Sequence, residues 1–524
     1  MSILSYCKKN IVFLTFSFFF SLFFISSFIF DGTEGFENAA TLFSVIFAAL
    51  ILSFPVSFVL TELTERSTNR SQAPFKEHAH SFLHYLYCHT FFYGTLVFLL
   101  HLPVYLAFYP GICYYDIGTQ IEQYETGHYI ANHPLIHTYV MGFFKNLFEN
   151  PNTGYGIILF IQMLFVSFAI GYGLKTLFQY TRSFIICTII TLFYGLCPVY
   201  PLLAISSTKD IFFSAFMFIF IIDTVNLLKQ PSHSIRFHIR FTVNALFMLM
   251  LRNNAFYAFI PVVILILLKK SKKRTVVKNM KILFAAVSIL YLISSKVVSA
   301  ALNADPGSIK EMMSIPAQEI ARIYSVSDNQ KDKELIKTYV EEPELYNYYL
   351  ADPIKCQLPF EIFESSCKHF LLDSFILNFK YPIPCIDAIF YNTQGYWDLF
   401  HSPYQSDHFF LATGDYRGEA VFDSKLPRLA DSYIRLFHTT QNLQNNFLLI
   451  PILNSGIYIW IFLFCLAAFI RKKDNSMIFC CLFPLFYLGT LCLGPGAIIR
   501  YTFPFLLLSP ILLFLTLIQT KLSR

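Results

Sequence analysis

Apolar runs of about 20 residues, separated by polar loops, recur along the whole chain. A helical run of this length crosses a hydrocarbon core of about 30 Å and satisfies its own backbone amides. The pattern therefore predicts an all-α polytopic membrane protein with about 12 transmembrane helices. Two of these are the short limbs of a hairpin, and the runs are 11–30, 39–60, 88–108, 155–177, 183–204, 211–228, the hairpin 241–268, 281–301, 447–470, 477–493 and 501–519.

The hairpin is predicted from its flanks. Residues 241–268 lie between two basic stretches, KQPSHSIRFHIR and KKSKKRTVVKNMK. Basic residues accumulate on the cytoplasmic side of membranes, so a single crossing would put one of these flanks on the wrong side. A chain that enters and returns keeps both inside, and it places Arg252 near the tip of the hairpin.

Charge divides the chain in the same way. Residues 303–446 carry 12 Lys and Arg against 20 Asp and Glu, whereas the rest carries 27 against 13. Basic loops at 269–281 and 471–473, opposite the acidic loop at 31–38, place both termini in the cytoplasm. The net charge of +6 thus reflects membrane topology and gives no indication of nucleic acid.

This topology predicts three regions. The first, residues 1–302, is an N-terminal transmembrane region that contains the first large outside loop at 109–153. Residues 303–446 form an extracytoplasmic domain, and 447–524 form the C-terminal transmembrane helices. Hydrophobic residues make up 55% of the chain and charged residues only 14%, which excludes an ordinary soluble globule.

Acidic residues follow the third span, in the loop stretch YPGICYYDIGTQIEQYETGHYIANHP. Asp116 lies at the end of a span, where a carboxylate in a partly dry cleft can accept the proton of an attacking hydroxyl. The plainer interpretation is a solvated loop acid. The next apolar stretch, PLIHTYVMGFFKNLF, is too short to cross and predicts a helix in the membrane interface.

Two histidines of this loop, His133 and His137, are four residues apart, as in many metal-binding pairs. The glutamate of an HExxH motif is missing, so the spacing does not support a divalent metal, and no cofactor is predicted with certainty. His133 is a candidate to bind a phosphate or to orient Asp116. A structural role at the helix start before Pro134 is the alternative.

Basic residues are predicted at the same face from three separate places. Lys209 and Asp210, in SSTKD, begin a span and suit either a phosphate or an ion pair; a snorkelling lysine with a capping aspartate is the alternative. Arg252 at a hairpin tip is costly unless it faces a polar cavity, and guanidinium groups suit phosphate oxygens. Arg500, beside Tyr501, begins the last span, where it could also serve as an anchor. Together these groups predict a ligand with an anionic head and an apolar tail.

The layout resembles membrane glycosyltransferases of the GT-C type, which take sugar from a polyprenyl-phosphate carrier outside the cytoplasm. Their catalytic acid lies in the first large outside loop, where this chain has Asp116. The order of several strings is similar to that of a bacterial family of GT-C-like membrane proteins of unknown function: YPG, YYDIGTQ, NHPLIHT, STKD, LRNN, SIPAQEIARIY, YWDL and RYTFP. Ile117 stands where some relatives have a second acid, which weakens the case for a metal-dependent mechanism.

The resemblance implies a glycosyltransferase (hexosyl or pentosyl transfer) in the bacterial cytoplasmic membrane, in a GT-C-like arrangement with a mainly helical extracytoplasmic segment. Its partners would be a polyprenyl-phosphate sugar donor, a cell-envelope glycan, lipid or protein acceptor, and membrane lipids, without nucleic acid. Asn253 and Asn254 of LRNN join the candidate substrate-binding residues.

The outside segment adds three further candidates. SIPAQEIARIYS predicts a helix that presents Gln318. The apolar stretch that ends in Tyr396 and Trp397 predicts helices over the cavity, and these two aromatic rings suit either a sugar or the membrane interface. Residues 402–420, from SPYQSD to ATGDYRGEA, are predicted to be rich in loops and aromatic residues.

A transporter or flippase for lipid-linked glycans or small molecules is the main alternative function. Transporters often contain internal repeats and broken helices near the membrane midplane. No second copy of YPG…D…HP or of LRNN is present, and the charged groups are predicted to gather at one face. A non-catalytic scaffold or a glycan polymerase is a third hypothesis.

Overall fold

The computed structural model describes residues 3–32, 35–70, 82–113, 116–229, 233–269, 274–360, 365–400, 420–438 and 453–517. Within these ranges the chain is helical and contains no β-strand. The prediction of an all-α polytopic membrane protein is confirmed. The loop-rich stretch predicted at 402–420 lies almost entirely outside the described residues, and so does the end of the predicted region 303–446.

The helices follow the chain in this order: α1 (Ile3–Ile29), α2 (Ala39–Arg70), α3 (Phe82–Tyr87), α4 (Thr90–Ala107), α5 (Ile117–Thr126), α6 (Leu135–Asn146), α7 (Pro151–Thr181), α8 (Phe184–Leu196), α9 (Val199–Ala204), α10 (Lys209–Lys229), α11 (Ile235–Met250), α12 (Asn253–Leu268), α13 (Arg274–Ala301), α14 (Ser314–Val326), α15 (Gln330–Lys337), α16 (Asp352–Lys355), α17 (Ser365–Lys380), α18 (Pro382–Trp397), α19 (Pro427–His438), α20 (Ser455–Lys472), α21 (Asn475–Cys492) and α22 (Ile499–Leu517).

Among the described residues, nine helices are long and apolar enough to cross a membrane, namely α1, α2, α4, α7, α10, α13, α20, α21 and α22. The count is lower than the predicted twelve partly because the span predicted at 183–204 is broken. Its helix ends at Leu196, and a new one begins after Pro198. The reason is that a proline disfavours the helical conformation of the residue before it, here Cys197.

The predicted hairpin accounts for the other two spans, and the structure has two helices joined by a turn at this place. Its limbs α11 and α12 have 16 residues each, and Arg252 lies in the extended conformation at the turn between them. The first limb begins at Ile235, six residues before the predicted start, so the basic residues of IRFHIR belong to the helix.

Buried tyrosines join the central helices through the carbonyls of α22. Pro510 has no amide hydrogen to donate to the carbonyl of Leu506, four residues earlier. The Tyr200 hydroxyl donates to that oxygen at 3.0 Å, and the Tyr194 hydroxyl donates to the Leu507 carbonyl at 2.6 Å. Both tyrosines are fully buried. The Tyr200 hydroxyl, just after the helix break, thus replaces the hydrogen bond that Pro510 cannot donate.

The loops that were predicted to share one side of the membrane meet at one end of the bundle. Backbone hydrogen bonds connect several of them there: Ile112 N to Ile205 O (2.9 Å), Ala131 N to Asp305 O (2.9 Å) and Ala351 N to Pro495 O (2.7 Å). We call this end the outer end, following the predicted topology.

Helices α14 to α18 build a separate small core at the outer end. The predicted helices after residue 365 are present, divided at Tyr381. Helix α18 packs against α20 and α1, where Trp460 donates from its indole nitrogen to the Trp397 carbonyl at 2.8 Å. The described part of the outer domain is therefore attached directly to the membrane helices.

Candidate functional site

The loop before α5 is held against the start of α10. Gly111 has a φ of +130°, and an added Cβ would lie 2.3 Å from the Leu159 side chain and 2.9 Å from the Ile205 carbonyl, so only glycine fits. Next to it, Ile112 accepts a backbone hydrogen bond from Ser207 at 2.9 Å. These contacts bring Asp116 next to Lys209.

Asp116 precedes the first residue of α5, yet its side chain makes no capping hydrogen bond. Its Oδ2 instead accepts a hydrogen bond from Lys209 Nζ at 2.9 Å, and Nη1 of Arg500 lies 3.7 Å away. The same Lys209 ammonium lies 3.1 Å from His133 Nδ1. The Asp116 side chain is 28% exposed, so one side of the carboxylate is open.

Asp210, in the first turn of α10, connects two arginines from different parts of the chain. Its Oδ1 is paired with Nη1 of Arg252, and its Oδ2 lies 3.7 Å from Nε of Arg500. The Asp210 side chain is only 1% exposed. Ion pairs thus run without interruption from Lys209 through Asp116, Arg500 and Asp210 to Arg252. We call these five residues and His133 the outer ionic cluster.

Arg252 is held in place by neutral neighbours as well. Its Nε donates to Asn254 Oδ1 at 2.9 Å, and its guanidinium carbon lies 4.5 Å from the Tyr501 ring centre and 5.4 Å from that of Tyr487. Such cation–π contacts stabilise a desolvated guanidinium group. The Arg252 side chain is 9% exposed, so it contributes its charge from behind the open side of the cluster.

The charges set the protonation states at the open side. Burial alone would raise the pKa of the Asp116 carboxyl, but the positive charges of Lys209 and Arg500 outweigh it and hold the pKa well below its usual range. Burial and the nearby Lys209 charge lower the pKa of His133 to about 4. At neutral pH the carboxylate is therefore ionised, and neutral His133 can accept a hydrogen bond from Lys209.

His133 and His137 are not brought together as a metal-binding pair. His133 precedes α6, whereas His137 is buried within it and has its Nδ1 3.0 Å from Gln120 Oε1. His133 Nδ1 lies 3.8 Å from Asp116 Oδ2, and the Lys209 ammonium contacts both groups. Across the described ranges, no group of three His, Cys, Asp or Glu side chains is placed to hold a metal ion.

Three other candidates are not placed in the outer ionic cluster. Gln318 is buried in α14 and donates to the Asn347 carbonyl at 2.8 Å. Tyr396 is buried and donates from its hydroxyl to the Gly496 carbonyl at 3.0 Å, while Trp397 packs among aromatic rings of α1 and α20. The structure therefore offers neither ring as an exposed surface for a sugar.

Asn253 lies next to the cluster and not within it. Its side-chain amide donates to the Ala131 carbonyl at 2.9 Å, which ties the hairpin tip to the loop before α6. With His133, it borders a cavity between this loop, the hairpin and α13. The sequence contained no signal for this cavity, because it depends on how three separate elements pack.

A second group of charges, around a buried aspartate, corrects the prediction that charged residues gather at one face only. Asp223, fully buried near the other end of α10, accepts from the Tyr172 hydroxyl at 2.6 Å and is paired with Arg240 of α11. Asn226 donates to the Tyr172 hydroxyl at 3.0 Å. We call these four residues the inner ionic cluster. A carboxylate inside the apolar run 211–228 was the signal for it.

Comparison with known proteins gives a family and no relative of known activity. The model of a family of unknown function (DUF6020) matches residues 120–524, which include most of the outer ionic cluster. No curated protein matches the chain, and no solved structure does.

Proposed function

The chain belongs to the family of unknown function DUF6020, and from its outer ionic cluster we propose that it is a membrane glycosyltransferase of the GT-C type. It would move a sugar from a polyprenyl-phosphate carrier to a cell-envelope acceptor at the outer end. The proposal rests on the site and on the sequence resemblance, and the sugar and acceptor stay open.

One observation carries the proposal: Asp116 is a partly exposed carboxylate within a group of cations that are mostly buried. It neither caps its helix nor lies in free solvent, which are the two ordinary roles of a loop acid. Among the residues that the structure describes, the cluster contains three cations, Lys209, Arg252 and Arg500, and two carboxylates, Asp116 and Asp210. A site of this kind suits a reactant with a single negative charge that presents a hydroxyl or a leaving group to Asp116.

The reaction is a substitution at the sugar. The acceptor hydroxyl oxygen attacks the anomeric carbon, and its proton passes to Asp116. The bond between the anomeric carbon and the carrier phosphate breaks, and its electron pair stays on the phosphate oxygen. Lys209 would donate a hydrogen bond to that oxygen, while Arg500 and Arg252 stabilise the growing negative charge from behind.

Binding of the carrier would also make Asp116 a better base. In the unloaded site the cations hold the pKa of its carboxyl far below the usual range, so it is a poor proton acceptor. A phosphate that takes a hydrogen bond from Lys209 offsets part of that positive charge and raises the pKa of Asp116. The site would therefore activate its base only when the donor is present.

The test is sugar transfer by the purified protein, given a labelled polyprenyl-phosphate sugar and mixed cell-envelope acceptors. Asp116→Asn should abolish most of the transfer. Asp305→Asn is the matched control, since this aspartate also lies at the outer end but is 60% exposed and paired with His128. Transfer by Asp116→Asn at the wild-type rate would show that Asp116 is not the base.

The inner ionic cluster favours one alternative, a transporter or flippase. Charged groups at both ends of α10 could contact an anionic substrate at both membrane faces. Proteoliposomes without any acceptor separate the two functions. Sustained movement of a labelled lipid or solute would favour the transporter.

A further inference from the structure

The cavity beside the outer ionic cluster has a volume of about 100 Å³, several times what one water molecule needs. Its lining is mixed. Polar groups come from His133, Asn253 and, on α13, Ser295 and Ser299, and apolar contacts come from Leu135 of α6, Leu249 of α11 and Val298 of α13. A space of this kind fits the junction of a polar head and an apolar chain.

Helix α13 forms the side of the cavity that faces the membrane. Its first half is packed into the bundle, with Met280, Phe284 and Val287 fully buried. No residue from 288 to 301 is buried. Its second half contacts the hairpin through side chains that stay partly exposed, such as Tyr291, whose ring is stacked 4.4 Å from that of Phe256. Neighbouring helices therefore cover little of its outer half.

We infer that this cavity binds the first part of the apolar chain of a phosphate lipid whose head group contacts Lys209. The inference rests on the proposed function for the identity of the head group. The shared chemistry is a long apolar chain that ends in a phosphate ester, and the chain is either prenyl or acyl.

The position of the cavity supports this assignment. His133, in the lining of the cavity, has its Nδ1 3.1 Å from the Lys209 ammonium, and Asn253, also in the lining, directly follows Arg252. On the opposite side of α13, Ile289, Ile293 and Val297 are exposed, as expected of side chains in contact with hydrocarbon. A chain that leaves the cavity past α13 would thus enter the bilayer directly.

The test is equilibrium binding of a radiolabelled polyprenyl phosphate to the full-length protein in lipid nanodiscs. Val298→Trp and Ser295→Trp place a large ring in the cavity and should weaken binding about tenfold or more, because overpacking excludes the chain. Val297→Trp is the matched control. It changes the same residue type one position earlier, where the side chain is 59% exposed, and should leave binding unchanged.

Equal affinities of Val298→Trp and Val297→Trp would overturn the inference. A second measurement needs no variant: a prenyl phosphate with a photoreactive first isoprene unit should label residues 249–253 or 291–299. Labelling confined to other spans would also overturn it. Competition by phosphatidate, compared with unlabelled polyprenyl phosphate, assigns the chain as acyl or prenyl, and either result supports the site.

The two proposals fail in different ways. Binding that Val298→Trp blocks, together with no sugar transfer from any donor, would leave the lipid site standing and contradict the glycosyltransferase. Sugar transfer that proceeds normally in Val298→Trp would support the glycosyltransferase and contradict the lipid site.

Discussion

Helix α10 carries one buried aspartate near each end, and the two are used differently. Asp210 and Asp223 are both fully buried, about 20 Å apart along the helix, and each is paired with an arginine of the α11–α12 hairpin. The inner pair is balanced, one charge against one. The Tyr172 hydroxyl also donates to Asp223, and Asn226 donates to that hydroxyl. The outer pair continues into a larger group with more cations than carboxylates.

The comparison separates a structural ion pair from a candidate site. Removing a charge from water is costly, and a balanced pair such as Asp223 with Arg240, in which only the carboxylate is buried, mainly determines how helices align. In the outer ionic cluster the same kind of pair, Asp210 with Arg252, lies behind two further charged groups. Lys209 and Asp116 lie on its open side, where a ligand can reach them. The predictions below test this contrast.

The largest effect is expected at Asp116. Asp116→Asn keeps the size of the side chain and removes the proton acceptor, so sugar transfer should fall about 10²- to 10⁴-fold. Asp223→Asn should leave transfer within a few-fold of wild type, since the inner cluster does not meet the reactants. The measurement is kcat/KM for the labelled donor. A larger loss in Asp223→Asn than in Asp116→Asn would reverse the assignment of the two clusters.

The inner ionic cluster should show its effect in stability instead. Arg240→Gln leaves the buried Asp223 carboxylate without its partner, which should cost about 3 kcal/mol and lower the apparent Tm in detergent. Asp223→Asn should cost less, because the Arg240 side chain is 46% exposed and can be solvated. The double variant should recover most of the loss. Equal losses of stability in Arg240→Gln and Asp223→Asn would show that the loss does not come from a buried carboxylate left without its partner.

Lys209→Gln should affect both binding and pH dependence. Loss of a charge-assisted hydrogen bond of about 1.5–3 kcal/mol should lower kcat/KM roughly 10- to 100-fold at neutral pH. The Lys209 charge also holds the pKa of Asp116 down, so its removal raises that pKa. The carboxylate then becomes protonated at a higher pH, and the acid limb of the kcat/KM profile moves upward. Lys209→Arg keeps the charge and should leave that limb in place.

Parts of this contrast follow from sequence and parts do not. The hairpin with Arg252 at its tip was predictable, because two basic flanks and a 28-residue apolar run permit no single crossing. The meeting of Asp116, Lys209 and Arg500 at one end follows from the topology. The bridging role of Asp210 depends on the rotation of α10 against α22, which hydropathy does not encode. Asp223 was missed because its partner Arg240 lies just before the predicted start of the next span.

The smallest effect concerns the histidines of the outer loop. Burial lowers the pKa of His137 to about 3, and burial with the Lys209 charge lowers that of His133 to about 4, against about 6.5 when unfolded. Between pH 6.5 and 4 the unfolded chain binds these protons and the folded chain does not, so acid destabilises the fold by about 1.4 kcal/mol per pH unit and histidine. The apparent Tm should therefore fall between pH 7 and pH 5, and less steeply in His137→Gln. A flat profile in the wild type would contradict the buried, neutral state of both groups.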